Sequence, residues 1–346
     1  MKRRLANRRQ VIAGAAGALA ALGLAPTAGL RGIWPASARA AVGSAGVALA
    51  MPPLVDTRAA GRFGIAAQSG MTAFGRGAAG RTSGFGASYL GPVLRLGQGE
   101  VLAEVTNRLA EGITVHWHGL LVAGDVDGGP HAPVKAGAQR RFALPIAQPP
   151  MTAWYHSHTH GHTARHVYAG LAGVIHIDDG QDDARGLPSD YGVDDLTLIL
   201  QDRRFDEEGR MVYDLAPMDV LNGFHGNRML INGQLGAVAV VPQGLTRLRL
   251  LNASNARIYT LMFEDRRDMH LIATDAGYLP QPRAILSLRM SPGERAEVLV
   301  DFSDGRPVRM ISGRGQMAIL DFAPDARIRR RIDRLPDRLA QDLPPL

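Results

Sequence analysis

Two His-x-His pairs, His116-Trp117-His118 and His156-Ser157-His158, offer more chemistry than anything else in the chain. Each lies among aromatic and β-branched neighbours (Val115 and Trp117; Trp154 and Tyr155) that read as strand. Residues i and i+2 of a strand point to one face, so each pair aims two imidazoles the same way. Neutral imidazole suits copper, zinc, iron or nickel. A single pair is equally compatible with two solvated or core-satisfied histidines. Two pairs about forty residues apart predict adjacent strands that present four nitrogens to one cavity.

The surrounding sequence is built to supply such strands. Residues 63–66 read as an early strand, and 93–96 and 101–105 as two more, split by Gly97-Gln98-Gly99. The first histidine pair follows, then a Gly/Pro-rich loop over 124–137 and strands at 142–144, 153–158 and 173–177. A stretch rich in Asp, Gly and Pro, 180–191, reads as a linker. Beyond it, 196–200, 229–232, 245–251, 296–302 and 317–322 are again short apolar runs. Many short strands, 41 glycines and 21 prolines predict an all-β chain of two β-sandwiches. The second sandwich carries only His225 and His270, far apart in sequence, and both read as structural.

Composition removes several classes of chemistry. The chain has no cysteine, which excludes disulfides, thiolate zinc sites, cysteine-ligated iron–sulfur clusters and cysteine nucleophiles. Its formal charge of +7 comes from the first forty residues, which hold seven basic side chains and no acidic one. The remainder is balanced at 32 basic against 32 acidic residues, so no nucleic-acid partner is expected. Residues 1–40 read as an export signal: a basic start, an uncharged stretch over 11–24 too short for a permanent membrane span, and Ala38-Arg39-Ala40 as a cleavage site. Asn7-Arg8-Arg9-Gln10-Val11-Ile12 is similar to a twin-arginine signal, with a general secretory signal as the alternative. The expected location is periplasmic.

The histidine motifs sit in a longer pattern. His116-Trp117-His118-Gly119-Leu120, Asp127-Gly128-Gly129-Pro130 and Trp154 to Gly161, closing on Gly170-Leu171-Ala172-Gly173, strongly resemble the amino-terminal copper motifs of the multicopper oxidases. The branch they resemble is that of the bacterial cuprous (copper-efflux) oxidases, related to laccases and bilirubin oxidases. The resemblance continues through Gln201-Asp202, Ile231-Asn232-Gly233 and Leu250-Leu251-Asn252-Ala253. It implies two consecutive cupredoxin-like (plastocyanin-like) Greek-key sandwiches, over 41–180 and 190–322, with 323–346 as a connector to a third domain.

The resemblance also implies copper as cofactor. Carried over by motif, His116 is a ligand of the type 2 copper, His118 and His156 serve one type 3 copper, and His158 serves the other. Asp127 matches an acidic residue thought to deliver protons during oxygen reduction, although Asp-Gly-Gly is turn-forming on its own. The family's remaining ligands lie in a His-x-x-His-x-His and a His-Cys-His motif, and these 346 residues match neither. The expectation is therefore half of a trinuclear site and no type 1 copper. Such a chain is inactive alone, whether a truncated product or one that needs a separately encoded third domain. The alternative is a non-catalytic copper-binding or envelope structural protein of the same superfamily. His160, His162 and His166 read as loop residues that are either solvated or part of a secondary copper or zinc site, and His131 and His176 as non-ligands.

Overall fold

The computed structural model describes residues 46–313, 317–329 and 331–340. The export signal expected over 1–40 lies outside the described residues. Among these residues the regular structure is nearly all strand, with two short helices, Thr163–Ala169 and Pro217–Asn222.

The first sandwich packs a four-stranded sheet against a five-stranded one. The four-stranded sheet runs in the order Gly80–Phe85, Arg62–Thr72, Gly99–Asn107, Gln139–Ile146. The other runs Leu54–Asp56, Val93–Leu96, Ala172–Ile177, Met151–Ser157, Val115–His116. Between them lies one core that includes Phe63, Val105, Trp117, Phe142 and Tyr155. Gln139–Ile146 shows the expected period of two, with Phe142, Leu144 and Ile146 buried and the intervening residues exposed. Met151–Ser157 is instead buried on both faces. Met151, Ala153 and Tyr155 join the first core, while Trp154 packs with Ile199 and Leu251 of the second sandwich. A strand covered on both sides has no solvent face to encode, hence the lack of polar–apolar alternation along it, its polar members Thr152, His156 and Ser157 being buried as well.

The second sandwich pairs a six-stranded sheet with a seven-stranded one, around a core that includes Leu198, Leu250, Phe263, Val298 and Phe322. Its six-stranded sheet begins with Val47–Ala48, which pairs in parallel with Ala237–Val238. The 41–180 boundary puts those two residues in the first sandwich; their ladder lies in the second. Two residues carry too little pattern to reveal their partner.

The two sandwiches are joined by buried charge as well as by apolar surface. The Arg247 guanidinium meets Glu297 at 2.5 Å and Asp182 at 2.7 Å, and Arg249 meets Asp195 at 2.8 Å and Glu297 at 3.2 Å. Thr152 of the first sandwich donates its hydroxyl to Glu297 Oε1 at 2.6 Å. Asp182 lies in the segment read as a linker, and although Gln181, Asp183 and Ala184 beside it are exposed, its side chain turns inward and ties that segment to the charge network. Within the described part of 323–346, read above as a connector, Leu339 packs on the second sandwich, 4% exposed beside Leu187 and Ile272, and its amide donates to the Pro280 carbonyl.

Candidate metal centre

The outward column of Met151–Ser157, namely Thr152, Trp154 and His156, ends in an imidazole at the edge where the two sandwiches meet. The neighbouring strand Val115–His116 pairs with it antiparallel, His116 directly opposite His156 and Val115 opposite Ser157. Here the structure differs from the sequence reading. The first pair does not share a strand: the ladder stops at His116, the Trp117 amide turns to the Asp127 carbonyl, and Gly119 takes φ +97°. The alternation nevertheless survives, because Trp117 is wholly buried against Phe63 and Phe142 and holds its two neighbours out on the other side. His158 lies one residue past the end of its strand.

Four rings result around His116, whose centroid is 5.4 Å from those of His118, His156 and His158 alike. One nitrogen from each of His116, His118 and His156 lies within 4.8 Å of the others. The tautomers follow from carbonyl oxygens, which only accept. His156 Nδ1–H donates to the Ser157 carbonyl at 2.9 Å, leaving Nε2 bare. His116 Nδ1–H donates to the Asp127 carbonyl at 2.9 Å, with the Asp127 carboxylate 3.2 Å from the same nitrogen, again leaving Nε2 free. His118 Nδ1 and His156 Nε2 face each other at 3.3 Å. Trp154 stacks on His156 with centroids 4.0 Å apart and fixes that ring's plane.

Electrostatics keeps His118 and His156 neutral. Burial, the nearby Arg295 cation and the neighbouring imidazoles push His118 down to about 4. Burial pushes His156 to about 3, against the opposing hydrogen bond to Ser157 and with help from the other rings. Neutral imidazoles with bare nitrogens, oriented by outer hydrogen bonds, are what copper or zinc accepts as ligands. Of the acidic residues at the site, Asp127 touches a ring directly, and its backbone carbonyl is as much the orienting group as its carboxylate. Gly128 makes this approach feasible: at φ +78° it presses on the Val115 carbonyl, where a Cβ would collide.

Sequence reasoning did not find Arg295, which comes from the second sandwich and approaches Gly119 so closely that a Cβ there would stand 2.7 Å from its guanidinium. No local motif could have announced it. His131 and His176 bond the Gly124 carbonyl and the Thr197 hydroxyl. His160 is exposed, but His162 directly precedes the helix Thr163–Ala169 and His166 lies within it, buried, so the loop reading does not hold for His166.

Profiles of the multicopper oxidase family match residues 67–182 and 180–310. The chain belongs to the multicopper oxidase family. A laccase-like multicopper oxidase, CueO from Ochrobactrum sp., superposes with a TM-score of 0.82 at 40% identity, over 86% of this chain and 68% of that one. The McoA multicopper oxidase of Aquifex aeolicus gives 0.79 at 28% identity, over 87% and 69%. The cell division protein FtsP of Sodalis glossinidius is 40% identical over 268 residues, and that of Edwardsiella tarda 38% identical over 327. The chain spans 56% of the Sodalis protein and 68% of the Edwardsiella one, and the matches cover 77% and 89% of the chain. Both cupredoxin-like sandwiches are thus multicopper oxidase architecture, and no described helix is long and apolar enough to cross a membrane.

Proposed function

We propose that His116, His118, His156 and His158 hold copper and contribute four imidazoles to an oxygen-reducing copper centre of the multicopper oxidase kind. The observation that carries this reading is the facing pair of His118 Nδ1 and His156 Nε2, 3.3 Å apart on rings kept neutral by burial. With His156 Nδ1–H given to the Ser157 carbonyl, His156 Nε2 accepts from His118 Nδ1–H, which leaves His118 Nε2 bare; a neutral ring pair of this kind in a half-buried site fits a donor set for an external cation. Bound copper would supply one-electron chemistry at these nitrogens, with Cu(I) or a phenol-like compound as the reductant and O2 reduced to water. The chain's own residues do the positioning. Asp127 and Ser157 fix the tautomers of His116 and His156, Trp154 holds the ring plane, and the Asp127 carboxylate is placed to pass a proton. His116 serves the type 2 position, His118 and His156 one type 3 position, and His158 the other. Four histidines leave three ions under-coordinated, so the centre is completed by a third cupredoxin domain, on the same polypeptide or another, after 323–346. The protein works in the periplasm, exported by the twin-arginine route.

The relatives named as cell division proteins favour a second reading, in which the fold serves the envelope without turnover. The experiment is a Cu(II) titration of the 346-residue chain followed by calorimetry and electron paramagnetic resonance, beside a His118→Ala, His156→Ala variant. The wild type should give a signal with imidazole-nitrogen hyperfine structure, lost in the variant, and no intense blue band, since the chain has no cysteine to supply a thiolate. Equal copper uptake by both proteins refutes the copper reading. A variant that supports division of the host cell as well as the wild type favours the second.

A further inference from the structure

A second group of ligating side chains lies outside the four-histidine face. Glu111, His162 and His166 each offer one ligand atom, and these atoms lie within 4.8 Å of one another. His162 and His166 are one helical turn apart, with the His166 amide bonded to the His162 carbonyl at 2.9 Å, so both rings project from one side. Two histidines at i and i+4 with a carboxylate from elsewhere form a donor set suited to a borderline divalent cation. His166 Nδ1 is tied to the Ser157 hydroxyl at 2.7 Å, which turns Nε2 toward Glu111 Oε1 at 3.2 Å. His162 Nδ1 lies 3.2 Å from Glu111 Oε2.

A cation already sits among these atoms. Arg165 Nη2 donates to both Glu111 oxygens at 2.9 Å and to His162 Nδ1 at 2.7 Å, so one nitrogen contacts three of the prospective ligand atoms. Its side chain is 51% exposed and can leave toward solvent without opening the core. The cluster borders a cavity of about 710 Å³ whose wall includes Met71, Met211 and Tyr213.

We propose that Glu111, His162 and His166 form a second cation site, separate from the four-histidine face, for a zinc-type divalent ion, with Arg165 as a displaceable placeholder and the remaining coordination position open to the cavity. Two ring nitrogens and a carboxylate give three protein ligands, the number that leaves zinc a position for water or an incoming group. The guanidinium and the metal compete for the same lone pairs, so Arg165 sets the affinity: it satisfies the ligands when metal is scarce and yields when metal is plentiful. Ser157 connects the two sites, its carbonyl orienting His156 and its hydroxyl orienting His166.

The test is Zn(II) titration of the full chain by calorimetry, with His162→Ala, Glu111→Gln, Arg165→Gln and His118→Ala variants, folding being checked by circular dichroism. His162→Ala and Glu111→Gln, both at partly exposed side chains, should weaken one class of zinc site by about tenfold or more. Arg165→Gln should strengthen the same class by a similar factor, a gain that no loss of fold can imitate. His118→Ala should leave this class intact, so its loss separates failure of the copper reading from failure of this one. Unchanged zinc binding in both His162→Ala and Glu111→Gln, or weaker binding in Arg165→Gln, overturns the proposal.

Discussion

The first sandwich gathers four imidazoles that face one another, whereas the second gathers guanidiniums and carboxylates that face their opposites. Both clusters are polar, the histidines half-buried and the ion network buried, and both lie where the sandwiches meet. In the second, Glu297 is pushed up by burial and pulled down further by Arg247 and Arg249, ending below the usual carboxylate range. Its charge is answered within the chain. In the first, the largest effect on His118 and His156 is burial, and no carboxylate answers it, so the rings are neutral with lone pairs to spare. A cluster that closes on itself holds the fold together; one that stays open is available to a ligand. The difference lies in the complementarity of the charges more than in burial.

The comparison breaks most easily at Glu297. Glu297→Ala leaves Arg247 and Arg249 short of their shared carboxylate and should cost about 3–5 kcal/mol in urea unfolding. The metal-free His118→Ala, His156→Ala variant should lose only about 1 kcal/mol in the same measurement. A Glu297→Ala protein as stable as the wild type would mean that the network is decoration.

Copper should close most of that gap. At a free concentration one hundred times its Kd, an ion bound only by the folded state adds about 2.7 kcal/mol. Thermal unfolding with and without Cu(II) should show that increment in the wild type and none in the double histidine variant. The same loaded chain by itself should show no steady, substrate-dependent oxygen uptake, because the geometry for four-electron chemistry needs a complete ligand shell. Sustained uptake that disappears in the variant would show that four histidines suffice.

His176 sharpens the contrast, as an imidazole that does sit beside the charged network. It is buried between the sandwiches on Thr197, and burial, then Arg249, Arg95 and Arg247, hold it well below 6.5. Above pH 6.5 folded and unfolded chains both carry it neutral. Below that pH the unfolded chain takes a proton that the folded chain refuses, so stability should fall by up to about 1.4 kcal/mol per pH unit from this group. Denaturant midpoints between pH 7 and 5 should be flatter for His176→Gln than for the wild type.

The smallest effect belongs to Asp127. Asp127→Asn keeps the backbone carbonyl that orients His116 and removes only the charge, so copper affinity should fall by about tenfold, the low end for an outer-shell partner. In an assembly that turns over, a proton-delivering carboxylate would also reshape the pH profile of oxygen uptake, which an orienting group alone would not do.

Much of this was legible in the residues. Alternation in 139–146, the Gly/Pro punctuation and the two His-x-His pairs specify short strands, two sandwiches and four imidazoles to one side, because strand periodicity is local and each element announces its own faces. The missing cysteine rules out a thiolate from these 346 residues. What the sequence could not give was anything that depends on a distant partner. That Val47–Ala48 joins the second sandwich, that Asp182 in an apparent linker meets Arg247, and that Leu339 folds back under Leu187 are each decided by register and burial across long separations. The same holds at the sites. His-x-His predicts two rings on one side, yet only the antiparallel register His116↔His156 makes them four around one point. Glu111 has no motif of its own and becomes a possible ligand only because the chain brings it back to His162 and His166. Side-chain type and spacing fix what a residue can do; the ladder and the packing decide which residues do it together, since contact is a property of space and not of the chain.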